Sequence, residues 1–312
     1  MSSSTVIQQT RDEDRRIEYD SVMRHLHTSN GIAMTVLIIL AAIVAVIFIG
    51  VIVLLLVQGL AYIFNPAFYS SSSTSANVSI APELFNTFYI LILSEIFLVP
   101  ISLAAAIYLV EYAHGGPLVT IIHFAAETLA GIPSIVLGLF GVIAFVIFFH
   151  FQLTRLSGAL TLLCLNLPVA LRLFEQSLVA VPRELREGGL ALGATRWRVI
   201  RTVVLPSALP GIITGIILTA GRVIGETAAL IFTTGVSNPQ GVFTLNPLIP
   251  SDTLTIHLWY VKTQGAGSAG LSSAQATAIA AGSATLLIII LFAINLISRG
   301  LGRLIERRLT AA

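Results

Sequence analysis

The chain has 312 residues, of which 56% are hydrophobic and only 10% charged, and its formal net charge is +2. Soluble domains carry roughly 25% charged residues, so this composition excludes a soluble globular class, and the near-neutral balance gives no electrostatic footprint for nucleic acid. Sixteen of the seventeen basic side chains are arginine; the one lysine, Lys262, follows "LWYV" rather than a glycine-rich turn, which excludes a P-loop ATPase within this chain.

Residues 1–30 are polar and mixed in charge ("RDEDRRIEYD") and predict a disordered or weakly helical cytosolic tail. The apolar run 31–57 is far longer than the ~7–15-residue core of a signal peptide and predicts a retained span. A serine-rich loop follows (65–82), then a second span over about 83–110 with a kink at Pro100. "HGGP" (114–117) turns the chain into a third span, 118–149, too long for one straight helix; "AGIPSIVLGLFG" in its middle predicts a bend or unwinding. The loop 150–158 leads to a fourth span, 159–181, where the only cysteine, Cys164, reads as packing. A fifth span is expected over 207–234. A polar, glycine-rich segment runs from there to about 273, and a sixth span, 274–298, precedes the basic tail "RGLGRLIERR". Runs beyond ~20 apolar residues read as membrane-crossing helices, whereas barrel strands would alternate over ~10 residues. The expectation is an all-α integral membrane protein: a tail at 1–30, a six-span domain at 31–298 and a second tail at 299–312.

Six spans put both termini on one side. Arg11, Arg15, Arg16 and Arg24 lie in the first tail, and Arg299, Arg303, Arg307 and Arg308 in the last; Arg183, Arg186, Arg196, Arg198 and Arg201 lie in the loop 182–206. The opposite side holds Arg155 and Lys262. Since positive residues remain cytoplasmic, the tails and that loop are expected in the cytosol.

The loop "PRELREGGLALGATRWRVIRTVVLP" predicts two short surface helices. Pro182 ends the fourth span, Glu184 and Glu187 favour a new helical first turn, Gly193 breaks it, and Thr195 caps the next helix. Its Glu187-Gly188-Gly189, three residues, Gly193, nine residues and Val203-Val204-Leu205-Pro206 resemble the signature of ABC-importer permeases, "EAA", three residues, glycine, nine residues, "I-x-L-P". The departures are glycines for both alanines and valine for isoleucine; the glycine pair should loosen the helix by roughly 1 kcal/mol per residue. The resemblance implies a coupling helix that docks into a separate ATP-hydrolysing subunit. An ordinary basic loop is the plain alternative.

The spans also contain Glu95, Glu127, Arg172, Glu175, Arg222 and Glu226. An ionised group at mid-bilayer costs about 2.5–3.5 kcal/mol even on the lenient insertion scale, so these charges need partners or water. On continuous helices Arg172 neighbours Glu175 and Arg222 neighbours Glu226, predicting arginines held by acids yet able to grip a tetrahedral oxyanion. Structural ion pairs joining helices are the alternative. Gly211/Gly215 and Gly221/Gly225 read as close helix packing.

"AGRVIGETAAL", "LPVALRLFEQSL" and "AETLAGIPSIVLGLFG" are similar to the PstA-type permeases of the phosphate-specific ABC importer. That resemblance implies a MetI-like type I importer fold in the cytoplasmic (inner) membrane of a prokaryote, surrounded by lipid, and orthophosphate as cargo moved by alternating access. It further implies a PstC-type sister permease, a homodimeric PstB-type ATPase carrying the ATP and Mg²⁺, and an extracytoplasmic PstS-type phosphate-binding protein. No cofactor is expected on this chain. By the same resemblance Arg172, Arg222 and Glu226, with Glu175 beside them, line the anion path. Sulfate or molybdate import stays open, and so does an ion-coupled carrier using the intramembrane glutamates. A membrane enzyme finds no support, since neither H-E-x-x-H nor G-x-S-x-G occurs and Asp252 is the only aspartate outside the first tail. His123 and Glu127 share a helix face, read as packing rather than a metal pair.

Overall fold

The computed structural model describes residues 3–69, 80–113, 115–235, 243–264 and 272–310. His114 and parts of the 235–273 segment lie outside them. The chain divides into two compact units, Met1–Leu55 and Leu56–Ala312. The first is helical from Ser3 onward as part of α1 (Ser3–Ile63), so the expected weak tail is a continuous helix. Its side chains from 30 to 51 are all exposed and largely apolar, as expected of a span whose surroundings are lipid or another subunit.

The second unit holds the rest. Helix α2 (Ala81–Ile107) widens into a π turn, Tyr108–Tyr112. Helices α3 (Pro117–Gly131) and α4 (Ser134–Gly141), the latter extended by a π turn Val142–Phe148, meet at 105°. Pro133 causes this break: it drives Ile132 to an extended conformation, φ −75° and ψ 132°. Helix α5 is Arg155–Val179, capped by the Thr154 side chain. The loop expected at 182–206 forms α6 (Arg183–Ala191) and α7 (Arg196–Val199), and a π turn Ile200–Val204 leads into α8 (Leu205–Gly225). Pro206, without an N–H for the helical ladder, follows directly on that wide turn.

Two expectations are corrected here. The fifth span is not continuous to 234: Glu226 is extended at φ −74° and ψ 130°, and a separate helix α9 (Ala228–Thr233) follows. The segment expected to be polar and glycine-rich holds a packed helix, α10 (Leu254–Thr263), with Leu254, Ile256 and Val261 buried. Helix α11 (Ser273–Thr310) closes the chain. Among the described residues five helices are long and apolar enough to span a membrane, and the bent α3–α4 pair makes six.

The core places α2, α5 and α8 side by side through Leu98, Leu171, Phe174, Leu178, Ala208 and Ile212. Gly211 and Gly215 permit this approach: a Cβ on either would press on Ser177 or Phe174. The spaces beside Gly221 and Gly225 are open. The two half-helices α4 and α9 also pack tightly, with Gly138 against the Ala229 backbone and Gly141 against Thr161 and Thr233.

Candidate functional site: intramembrane charges and the surface segment

The charged groups within the spans are arranged differently from the expected pairs along one helix. Arg172 does not bond Glu175; its Nη2 donates to Glu127 Oε1 on α3 at 2.8 Å. Glu175 Oε1 instead faces His123 Nε2 at 3.3 Å. His123 and Glu127 stand one turn apart on α3, opposite Arg172 and Glu175 on α5, so the four side chains form two rungs between the helices. Two helices at close contact offer nearer partners across the gap than along either rail.

Arg222 and Glu226 are not paired either. The break after Gly225 turns Glu226 away, and its Oε1 accepts from the Ala229 N–H at 3.2 Å, capping α9. Arg222 is exposed and makes no ion pair among the described residues. Because Gly211 lies against Ser177 and Gly215 against Phe174 on antiparallel helices, Arg222 sits roughly 8 Å farther along the axis than Arg172 at 1.5 Å per residue. Irregular backbone at membrane depth survives where it is enclosed by protein or lines water, and Arg222 is three residues before such a break. Glu95, on α2, is a further half-buried acid whose carboxylate oxygens are shielded from water and lie beside Thr219.

In the surface segment the Thr195 hydroxyl caps α7 as expected, accepting from Arg198 N–H at 3.4 Å. Gly193 has φ +81°, a turn that a side chain resists. Gly188 faces open space, whereas a Cβ on Gly189 would come within 2.9 Å of Val199. Glu187 is exposed, while Leu205 and Pro206 are half-buried at the start of α8. Sequence reasoning missed two features here. Leu192 (90% exposed) and Trp197 (54%) put apolar surface on the segment. Arg186, counted only as a positive charge, is a mostly buried staple: Nε donates to Glu111 Oε1 at 3.0 Å, and Nη1 and Nη2 donate to the Val181 and Leu178 carbonyls at 2.6 Å each. It thereby adds charged donors to carbonyls at and just beyond the C-terminal end of α5, where the helical ladder runs out.

Arg155 corrects another expectation. Placed in a surface loop by its sequence context, it is fully buried at the start of α5. Its Nε donates to Ser251 Oγ at 3.2 Å, Nη2 to Asn86 Oδ1 at 2.6 Å, and Nη1 to the Thr244 and Asn246 carbonyls. The guanidinium carbon lies 4.9 Å from the Tyr89 ring centroid. These bonds fasten the connection 243–253 to α2 and α5. Its partners lie tens of residues away, so no local signal announced them. Beside it, His257 is raised above its ordinary pKa: burial alone would lower it, but the Asp252 hydrogen bond and the charges of Glu83 and Asp252 outweigh that.

The model of the family described as binding-protein-dependent transport system inner membrane component matches residues 96–311. A probable ABC transporter permease, YqgI of Bacillus subtilis (strain 168), is 39% identical over 282 residues, covering 87% of this chain and 94% of its own. The phosphate transport system permease PstA 1 of Mycobacterium tuberculosis (strain CDC 1551 / Oshkosh) is 38% identical over 169 residues, 54% of this chain and 55% of its own. PstA of Mycobacterium leprae (strain TN) is 42% identical over 146 residues, 47% and 48% respectively. The chain thus spans about half the length of these phosphate-transport relatives. An inward-facing MetNI methionine ABC transporter shares the fold with a TM-score of 0.57 at 19% identity, over 72% of this chain and 94% of that one.

Proposed function

The chain belongs to the family of binding-protein-dependent transport system inner membrane components, and from that premise we propose that it is the PstA-type permease of a phosphate importer. As an ABC importer permease it works with an ATPase and a substrate-binding protein. The finer assignments are part of the proposal: a PstC-type sister permease, a homodimeric PstB-type subunit that hydrolyses the ATP, and a PstS-type protein that delivers phosphate from outside. The membrane is the cytoplasmic one, with both tails and 183–204 on the inside.

The observation that carries the phosphate reading is Arg222, a guanidinium within a span, exposed on this chain and held by no acid among the described residues. Facing lipid it would cost about 2.5–3.5 kcal/mol or more; facing a water-filled path shared with the sister subunit, it offers a fork of donors to a tetrahedral anion. Arg172, half-neutralised by Glu127, is a second station roughly 8 Å nearer the cytosol. A fully bare arginine pair would hold the anion too tightly to release it. Partner closure on ATP binding moves 183–204 and opens the path outward; phosphate leaves inward after hydrolysis. Glu175 and Glu226 serve as supports, one facing His123 and one capping α9, rather than as quenchers of the arginines.

The test is uptake of labelled phosphate, sulfate and molybdate by the reconstituted importer. Phosphate uptake is expected to dominate and to be abolished by Arg222→Gln while the complex still assembles. Normal uptake by that variant removes the pore role, and preferred uptake of sulfate or molybdate replaces the cargo.

A further inference from the structure

Glu83, Asp252 and His257 converge at the end of α2 opposite the surface segment. Glu83 is in the first turn of α2, Asp252 in the connection 243–253, and His257 in the first turn of α10. One donor atom from each lies within 4.8 Å of the other two. His257 Nδ1 is 3.2 Å from Asp252 Oδ2 and 3.9 Å from Glu83 Oε1. The Asp252 side chain is 5% exposed, yet its Oδ1 has no hydrogen-bond partner, nor have the buried Glu83 Oε2 and His257 Nε2.

The polar neighbours are already engaged. Asn86 Nδ2 donates to the Asp252 carbonyl, Thr87 Oγ1 donates to the Glu83 carbonyl and accepts from Leu254 N–H, and Arg155 spends its donors on Asn86, Ser251 and two backbone carbonyls. Two buried carboxylates beside one imidazole therefore keep unsatisfied acceptors, a costly arrangement. A divalent cation resolves it, because two carboxylates and a neutral imidazole around it are electrically neutral.

We propose that Glu83, Asp252 and His257 bind one divalent transition-metal ion of the zinc class. Mixed carboxylate and imidazole donors suit zinc and its first-row neighbours, whereas calcium and magnesium take oxygen donors. Donors about 2.0–2.1 Å from a tetrahedral centre stand about 3.3 Å apart; the imidazole–aspartate separation already fits, and the glutamate closes by a side-chain movement. Three protein ligands leave a fourth position for water. The ion fastens α10 and the connection 243–253 to α2.

The experiment uses the full-length chain assembled with its partner subunits, purified without a polyhistidine tag and stripped with a chelator. Zn²⁺ is titrated and counted by elemental mass spectrometry, and Co²⁺ is added as a visible-absorbing reporter. Wild type is expected to retain one more Zn²⁺ per chain than Asp252→Asn or Glu83→Gln, and each substitution to weaken binding by about 100-fold or more, past the 10–100-fold typical of lost outer-shell partners. Chelation should lower the melting temperature of wild type but not of Asp252→Asn, which separates metal loss from misfolding. Equal Zn²⁺ content in all three proteins, no binding to wild type below about 100 µM (a Kd no better than about −5.5 kcal/mol), or equal competition by Ca²⁺ overturns the site. In the first two outcomes the cluster is a protonated histidine between two acids, and in the third it is a cation site without preference for the zinc class.

Discussion

An arginine with no exposed surface must find an acceptor for every direction of its planar fork. Arg155 does so with Ser251, Thr244, Asn246 and Asn86, and its face meets Tyr89. Arg155→Leu would leave the Asn86 Oδ1 buried and unpaired, at about 1–3 kcal/mol, and would remove the donor of the less buried Thr244 and Asn246 carbonyls. Loss of at least roughly 1–3 kcal/mol is expected, read as a lower melting temperature of the purified permease. Arg155→Lys should recover only part of it, since an ammonium is a point charge that cannot span four acceptors; a lysine variant as stable as wild type would show that charge alone suffices. At this scale the sequence announced which residues carry intramembrane charge but not their partners. Arg172, Glu175, His123 and Glu127 were all visible, and local spacing favoured pairs along one helix. The partners chosen lie across the α3–α5 contact, which only tertiary packing decides.

Helices α6 and α7 show glycine used in three different ways. Gly188 faces open space, Gly189 touches Val199, and Gly193 holds a left-handed turn at φ +81°. Gly188→Ala should therefore stabilise α6 by about 1 kcal/mol through propensity alone and leave transport unchanged. Gly189→Ala must displace Val199, which is buried in the α2–α5–α8 core, and Gly193→Ala strains the turn; both should lower phosphate uptake several-fold. Side-by-side uptake by the three variants checks this, and equal behaviour of Gly188→Ala and Gly189→Ala would remove the distinction. The helical knob itself was readable from Pro182, Gly193 and Thr195, because caps and breakers act locally. The bend of the third span was readable for the same reason, at Pro133. The break after Gly225 was not: "GRVIGETAAL" holds no proline, and α9 stands apart because it packs on α4 through Gly138. Helix α10 was hidden by polar neighbours, its burial depending on α2 and α11.

For the whole molecule, the question is how movement of the surface segment reaches the spans. The covalent route runs at both ends of the segment, from α5 through residues 180–182 into α6 and from α7 through the π turn Ile200–Val204 into α8. Arg186 supplies a second route, because one side chain grips the Leu178 and Val181 carbonyls at the end of α5 and Glu111 at the end of α2. Both Arg186 (17% exposed) and Glu111 (11%) are mostly shielded from water, so removing one partner strands the other; such breaks cost about 3–5 kcal/mol. With the second route cut, α6 can move without drawing α2 along and pulls on α5 only through residues 180–182, while the exposed apolar residues Leu192 and Trp197 remain in place. Arg186→Gln and Glu111→Gln are therefore expected to preserve assembly with the ATPase and its hydrolysis, yet to lower phosphate transported per ATP by about tenfold or more, a factor equivalent to 1.4 kcal/mol of lost coupling. Parallel measurement of uptake and hydrolysis in reconstituted vesicles separates this from weakened docking, which would lower both together. An unchanged transport-to-hydrolysis ratio in both variants would leave the chain connections at 180–182 and 200–204 as the mechanical links between the surface segment and the membrane core.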